Sequence, residues 1–256
     1  MPPFFEAVTI LLAGVAAGGI NAVVGSGTLI TFPILLAFGV PPVTANVSNN
    51  IGLAPGSVSG AIGYRRELVG QRARVLRLVS GSFIGGLTGA VLLIVLPADA
   101  FETIVPVLIG LGIVLVVVQP RLSRRVAARR EAAGELAGGR PDPWWIWPTT
   151  ALAGVYGGYF GAAQGVILMG ILGIGIDESL QRLNAVKNVL AAVVNGVAGV
   201  LFIFVADVDW WLVLLIAVGA VIGGQLGATV GRRLHPTVLR TVIVLVGLAA
   251  LASFLL

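Results

Sequence analysis

The chain has 256 residues, of which 57% are hydrophobic and only 11% are charged, and its formal net charge is +5. Because soluble domains carry about 25% charged residues, this composition excludes an ordinary soluble fold and predicts an integral membrane protein. The chain has no cysteine and one histidine, which excludes disulfides, thiolate metal sites and a histidine-based metal centre.

A membrane-spanning helix needs about 20 apolar residues. The apolar runs predict the same series in each half of the chain: one long segment, one short segment and then three long ones. A basic, helix-prone linker at about 119–143 separates the halves. The predicted segments are roughly 5–23, 28–39, 43–63, 75–96, 101–118, 146–160, 164–175, 182–204, 210–230 and 237–255.

The two halves also repeat short sequence motifs. Leu12-Ala13-Gly14-Val15 recurs as Leu152-Ala153-Gly154-Val155, and the glycine pattern of residues 81–90 recurs at 219–228. Order and spacing together indicate an internal repeat. The predicted organisation is an N-terminal membrane repeat at 1–118, the linker at 119–143 and a C-terminal membrane repeat at 144–256.

The arginines give the orientation of the segments. They lie in the loop 64–77, in the linker, in the turn 176–182 and at 231–240, whereas the intervening loops hold acidic residues and no arginine. The positive-inside rule therefore places the linker in the cytoplasm and both termini outside it, in the cell membrane. Corresponding loops fall on opposite sides. The fold class predicted is an all-α polytopic membrane protein of two inverted-topology repeats with about eight to ten membrane segments.

Each short segment follows a glycine-rich break, at 25–27 and at 161–165. The short segments are either tilted spans or re-entrant helices. Broken backbone at membrane depth is tolerated only where it faces protein or a wet cavity, and paired breaks are a pointer to a transport site. A helix that starts after each break would aim N–H groups at an anion. Asn21, Ser26 and Thr28 at the first break and Gln164 at the second are the candidate side chains; the alternative is that the glycines only permit tight helix crossings. For Gly85, Gly86, Gly223 and Gly224, packing is the favoured interpretation.

Amides cluster on one helical face at Asn46, Asn49 and Asn50. Their NH₂ groups suit an anion, but amides also join helices inside membranes, and both interpretations stay open. Asn184, Asn188 and Asn195 show comparable spacing in the second half. Lys187, the only lysine, is either an anion-binding charge near the cavity or a side chain that snorkels to the interface.

No residue set supports catalysis or ATP hydrolysis, so an enzyme is not expected. The acidic residues lie at segment ends or in loops. Coupling through a membrane-embedded carboxylate is therefore disfavoured, and a uniporter, an exchanger or a channel-like path remains open.

The chain resembles the sulfite exporter TauE/SafE family of membrane permeases. The resemblance is carried in order by residues 19–29, 32–33, 39–46, 64–68, 157–162, 185–188, 209–210 and 223–228. It implies a multi-pass permease for small anions, typically sulfite, sulfonates and other organosulfur anions.

Together these observations predict a secondary transporter, in the direction of export, that works by alternating access between the repeats. The alternatives are a channel-like permease, a carrier of small carboxylates, or a membrane component that binds a ligand or partner, for example through the linker, without transporting it. The expected partners are a small anion, the lipid bilayer and a second copy of the chain as a possible homo-oligomer, with no nucleic acid and no cofactor. The substrate-binding candidates are Asn21, Ser26, Thr28, Asn46, Asn49, Asn50, Gln164, Lys187 and Asn188.

Overall fold

The computed structural model describes residues 3–133, 141–229 and 236–255, and within them the chain forms ten α-helices, one 3-10 helix and no strand. The 3-10 helix, Arg65–Leu68, connects α3 to α4. The α-helices are α1 (Phe4–Val23), α2 (Thr28–Ala37), α3 (Pro42–Gly63), α4 (Arg72–Val95), α5 (Ala98–Ala133), α6 (Ile146–Tyr159), α7 (Gln164–Gly175), α8 (Leu180–Val205), α9 (Trp210–Thr229) and α10 (Pro236–Leu255).

The predicted all-helical class is confirmed, and each predicted segment corresponds to one helix. The largest difference lies in α5, which continues past residue 118 to Ala133, so the first part of the predicted linker is helical. Residues 134–140 of the linker lie outside the described residues.

Five of the described helices are long and apolar enough to cross a membrane, namely α1, α4, α5 up to Arg121, α8 and α9. The helices α2 and α7 have 10 and 12 residues and are shorter, as predicted. The 22-residue α3 is long enough but less apolar, because it carries Asn46, Ser48, Asn49 and Asn50, all of them buried. Such a helix is suited to be surrounded by protein rather than by lipid.

The helices pack into two bundles that do not coincide with the two sequence halves. α9 packs along α1 and α3, whereas α4 packs along α6 and α8. The first bundle therefore consists of α1, α2, α3 and α9, and the second consists of α4, α6, α7 and α8. Each bundle holds three helices of one half and one helix of the other half. The two bundles meet chiefly where α3 contacts α8.

The pattern of helix contacts stays the same when the two halves are exchanged. The α1–α9 contact corresponds to the α6–α4 contact, and the α3–α9 contact corresponds to the α8–α4 contact. α5 packs on α7 and α10 packs on α2, while α5 and α10 also pack on each other. The halves are thus related in their packing as well as in their motifs.

Glycines make the closest helix contacts within each bundle. A Cβ atom on Gly223 of α9 would lie 2.0 Å from the Val15 carbonyl oxygen of α1, and one on Gly85 of α4 would lie 2.0 Å from the Ala151 carbonyl oxygen of α6. These helices touch backbone to backbone, which small residues permit. The packing role predicted for Gly85, Gly86, Gly223 and Gly224 is confirmed.

A cluster of ion pairs joins the end of the linker, at Asp142, to the second bundle. The Arg74 guanidinium binds the carboxylates of Asp142, at 2.9 Å, and Glu178, at 3.0 Å, and Arg182 binds Glu178 at 2.6 Å. Partial burial raises the pKa of Glu178, but the hydrogen bonds from Arg182 and Arg74 outweigh this effect, so that the pKa lies below its usual value. Glu178 is therefore held in its ionised form between α7 and α8.

Candidate functional site

The two predicted breaks are present, and each contains a glycine in a left-handed conformation. α1 ends at Val23, the chain turns through Gly25 with φ +90°, and α2 begins at Thr28. In the second half α6 ends at Tyr159, Gly161 has φ +77°, and α7 begins at Gln164. Only glycine adopts such φ values without strain, which explains why both turns carry it.

The two breaks touch each other inside the molecule. The Gly165 N–H donates a hydrogen bond to the Gly25 carbonyl oxygen at 3.0 Å, and a Cβ atom on Gly25 would lie 2.4 Å from the Gly165 Cα. Ser26 is 0% exposed and Gln164 is 3% exposed. The N-terminal ends of α2 and α7 therefore converge at a buried place between the bundles, and neither break lies on the outer surface of the molecule.

A cavity of about 20 Å³ lies beside this contact, which is room for about one water molecule. It is bounded by α1, α2 and α3 with the turn at Gly25 in the first bundle, and by the turn at Gly161 with α7 and α8 in the second. The lining holds amides, a hydroxyl pair and glycines, with no carboxylate: Asn21, Gly25, Thr28, Ser57, Gly161, Gln164, Gly165, Asn188, Ala191 and Asn195.

Four of the nine predicted site residues line this cavity: Asn21, Thr28, Gln164 and Asn188. The other five, Ser26, Asn46, Asn49, Asn50 and Lys187, are buried but are not part of its lining. The sequence analysis did not select Ser57, which lines the cavity together with Asn195. The Asn195 side-chain NH₂ donates to the Ser57 hydroxyl at 3.0 Å, joining α8 to α3 across the two bundles.

Two side chains at the breaks have polar atoms that no described residue satisfies. They are the hydroxyl of Ser26 and the NH₂ group of Gln164. The side-chain oxygen of Asn21 is used differently, since it accepts a hydrogen bond from the Gly27 N–H at 2.9 Å and so fixes the start of α2. Buried polar groups are nearly always paired in native proteins, so the two free donors mark a place where a ligand or water can bind.

Amides of α3 and α8 bind the carbonyl ends of the broken helices. The Asn46 NH₂ donates to the Tyr159 carbonyl oxygen at 3.0 Å. The Asn184 and Asn188 NH₂ groups donate to the Ala22 carbonyl oxygen at 3.0 and 3.2 Å. These contacts satisfy main-chain acceptors that a helix end leaves free. For these three residues, the role of joining helices is observed directly.

The remaining two asparagines of α3 differ from each other. The Asn49 NH₂ donates to the Thr28 hydroxyl at 3.3 Å, and the Thr31 hydroxyl donates to the Asn49 side-chain oxygen. Asn49 thus holds the first turn of α2. The side-chain oxygen of Asn50 is buried and has no partner among the described residues.

Lys187 is fully buried and binds the end of α1. Its ammonium donates to the Asn21 carbonyl oxygen at 2.8 Å and to the Ala22 carbonyl oxygen at 3.3 Å. A cation is favoured there, because the C-terminal end of a helix carries a partial negative charge. The side chain does not snorkel to an interface, so that alternative is wrong. The ammonium binds the main-chain oxygen of Asn21, a residue that lines the cavity, but Lys187 is not itself part of the lining.

Comparison with known proteins gives one family. The family model described as "Sulfite exporter TauE/SafE" matches residues 10–254. The chain is 28% identical over 246 residues to "Probable membrane transporter protein YfcA" of Escherichia coli (strain K12), covering 93% of this chain and 86% of that protein.

Two further relatives carry names of the same kind. "Probable membrane transporter protein ORF9" of Sinorhizobium sp is 26% identical over 249 residues, covering 94% of this chain and 88% of that protein. "Probable membrane transporter protein" of Haemophilus influenzae is 24% identical over 233 residues, covering 91% and 88%. No solved structure matches the chain.

Proposed function

The chain belongs to the sulfite exporter TauE/SafE family of membrane transporters, and from that premise we propose that it exports a small anion, sulfite or an organosulfur anion such as a sulfonate. The observation that carries the proposal is the carboxylate-free polar cavity at the meeting point of two helix N-termini. The family match supports transport, and the chemistry of the cavity supports a negatively charged substrate.

The cavity is suited to an oxyanion for three reasons. The N-termini of α2 and α7 place the positive ends of two helix dipoles beside the cavity. The NH₂ of Gln164 is a buried donor without a partner among the described residues. No carboxylate lines the cavity, so nothing in the lining repels a negative charge.

Alternating access fits the position of the cavity between the two bundles. The cavity holds about one water molecule, so the described conformation is an occluded one that must open to admit a substrate. The rocking bodies that the packing supports are the two bundles rather than the two sequence halves, because α4 and α9 pack against helices of the opposite half. The paired contacts of the halves fit inverted repeats, with the linker cytoplasmic and both termini outside the cytoplasm.

The test is flux into and out of proteoliposomes for sulfite, sulfate, sulfoacetate, taurine and acetate. We expect transport of sulfite or a sulfonate, and Gln164→Ala should slow it at least about tenfold, because it removes a donor from a buried anion site. Gln119→Ala is the matched control: Gln119 is also buried with an unpartnered oxygen, but it lies on α5 and not in the cavity lining.

The same panel separates the alternatives. Transport of acetate in preference to sulfite would indicate a carboxylate carrier. Binding of an anion without flux would indicate a non-transporting component, and flux in Gln164→Ala equal to that of the wild type would remove the cavity from the transport path.

A further inference from the structure

The Lys187 ammonium connects the two bundles. Lys187 lies on α8 of the second bundle, and its two acceptors, the carbonyl oxygens of Asn21 and Ala22, lie at the end of α1 in the first bundle. Any motion that separates α8 from α1 to open the cavity lengthens these hydrogen bonds. The contact is therefore specific to the closed arrangement of the bundles.

The charge of Lys187 has no counter-ion in the described part of the chain. None of the ion pairs found there includes Lys187, and the cavity lining beside it contains no acidic side chain. A buried ammonium without a partner is strongly unfavourable, both inside a protein and within a membrane. In the closed arrangement two carbonyl oxygens and the negative end of α1 solvate it.

The equivalent position of the first half carries no charge. Asn46 and Asn50 recur as Asn184 and Asn188, and the same spacing pairs Asn49 with Lys187. Asn49 is a neutral amide that binds the hydroxyls of Thr28 and Thr31 within its own bundle. The site therefore has a single positive charge, and it belongs to one bundle.

We propose that the protein is an anion exchanger in which Lys187 allows the bundles to separate and return only when an anion is present. This inference rests on the proposed function. When the bundles part, the ammonium loses its two carbonyl acceptors, and one anion in the opened cavity takes their place. Without the anion, the carrier stays in the closed arrangement, because separating the bundles would take the ammonium from its two carbonyl acceptors and leave it unpaired in the membrane interior. Lys187 thus contacts the anion in the open arrangement and the end of α1 in the closed one.

Counterflow in proteoliposomes tests the exchange step. Vesicles loaded with radiolabelled sulfite are diluted into buffer with or without unlabelled sulfite, at equal ionic strength. We expect efflux to be more than about tenfold faster with sulfite outside, because only then does the carrier return loaded. Equal efflux in both buffers would overturn the exchange mechanism while leaving transport intact. No efflux in either buffer, with labelled sulfite and equally with labelled sulfoacetate inside and the same unlabelled anion outside, would contradict the proposed function and, with it, the exchange step.

Substitutions of Lys187 separate a role in exchange from a role in folding. Lys187→Met and Lys187→Gln remove the charge and should bring the ratio of the two efflux rates close to one, whereas Lys187→Arg should keep the wild-type ratio. A lysine that only stabilises the fold would lower both rates by the same factor and leave the ratio unchanged. A wild-type ratio in a neutral variant would therefore overturn the role of Lys187.

Discussion

Gly25 is the residue on which the two halves of the site meet. Its φ of +90° turns the chain between α1 and α2, and its carbonyl oxygen accepts the Gly165 N–H at 3.0 Å. A Cβ atom would lie 2.4 Å from the Gly165 Cα, which is backbone that cannot move aside alone. We expect Gly25→Ala to abolish flux and to lower the stability by more than the roughly 1–2 kcal/mol that left-handed backbone costs a non-glycine residue.

Gly39→Ala is the matched control for this prediction. Gly39 has a similar φ of +78°, but a Cβ atom there would meet nothing within 4 Å. Thermal unfolding of the purified variants should show only the conformational penalty in Gly39→Ala and a larger fall in Gly25→Ala. Equal losses of stability in the two variants would contradict the importance of the contact with Gly165.

The residues of the cavity could be predicted from the sequence only in part. The breaks identified Asn21, Thr28 and Gln164, because glycine clusters inside apolar runs are visible without a structure. Ser57 was missed, although 46, 50 and 57 have the same spacing as 184, 188 and 195, and that comparison would have selected it. The contacts of Lys187 could not be predicted, because they depend on the crossing of α8 and α1, which sequence spacing does not specify.

Among the elements, the pairs α1–α9 and α4–α6 are the most closely packed. The sequence motif aligns Gly85 of α4 with Gly223 of α9, but by its contacts Gly85 is equivalent to Gly219. A Cβ atom on Gly85 would meet the Ala151 carbonyl oxygen, and one on Gly219 would meet the Leu11 carbonyl oxygen. Leu11 and Ala151 are equivalent, because each directly precedes the repeated Leu-Ala-Gly-Val motif. Because glycine recurs every fourth residue in both helices, a shift by one helical turn gives an almost equal sequence match.

The close contact of α9 with α1 predicts the effect of adding a methyl group. Gly223→Ala would place a Cβ atom 2.0 Å from the Val15 carbonyl oxygen, so we expect a loss of about 1–3 kcal/mol from overpacking. Gly110→Ala in α5 is the control, since its Cβ atom would meet nothing within 4 Å and alanine favours a helix. Thermal unfolding measures both, and a Gly223→Ala variant as stable as Gly110→Ala would contradict rigid α1–α9 packing.

For the whole molecule, the number of helices could be predicted but the bodies that they form could not. Hydropathy reports how long each segment is, and the arginines report which ends share a side of the membrane. Neither hydropathy nor the arginines predict that α4 packs along α6 and α8 of the other half, or that α9 packs along α1 and α3 of the other half. That exchange is decided by complementary glycine surfaces on helices far apart in the chain.

Disulfides can distinguish a motion of the two bundles from a motion of the two sequence halves. The chain has no cysteine, so introduced pairs can be oxidised selectively. A disulfide in Ser57→Cys/Asn195→Cys joins α3 to α8 across the bundles, where the native side chains are 3.0 Å apart. If the bundles must separate, oxidation should reduce flux to below about a tenth of that of the reduced variant, and reductant should restore it.

The control disulfide lies inside the first bundle. A Cβ atom on Gly224 of α9 would lie 3.3 Å from the Ser59 Cβ of α3, close to the Cβ separation of a disulfide. α9 belongs to the second half of the sequence and α3 to the first, so a disulfide in Ser59→Cys/Gly224→Cys also connects the two halves. If the halves were the rocking bodies, both disulfides would stop transport. If the bundles are the rocking bodies, oxidation of Ser59→Cys/Gly224→Cys should leave the flux of that variant unchanged while oxidation of Ser57→Cys/Asn195→Cys arrests it.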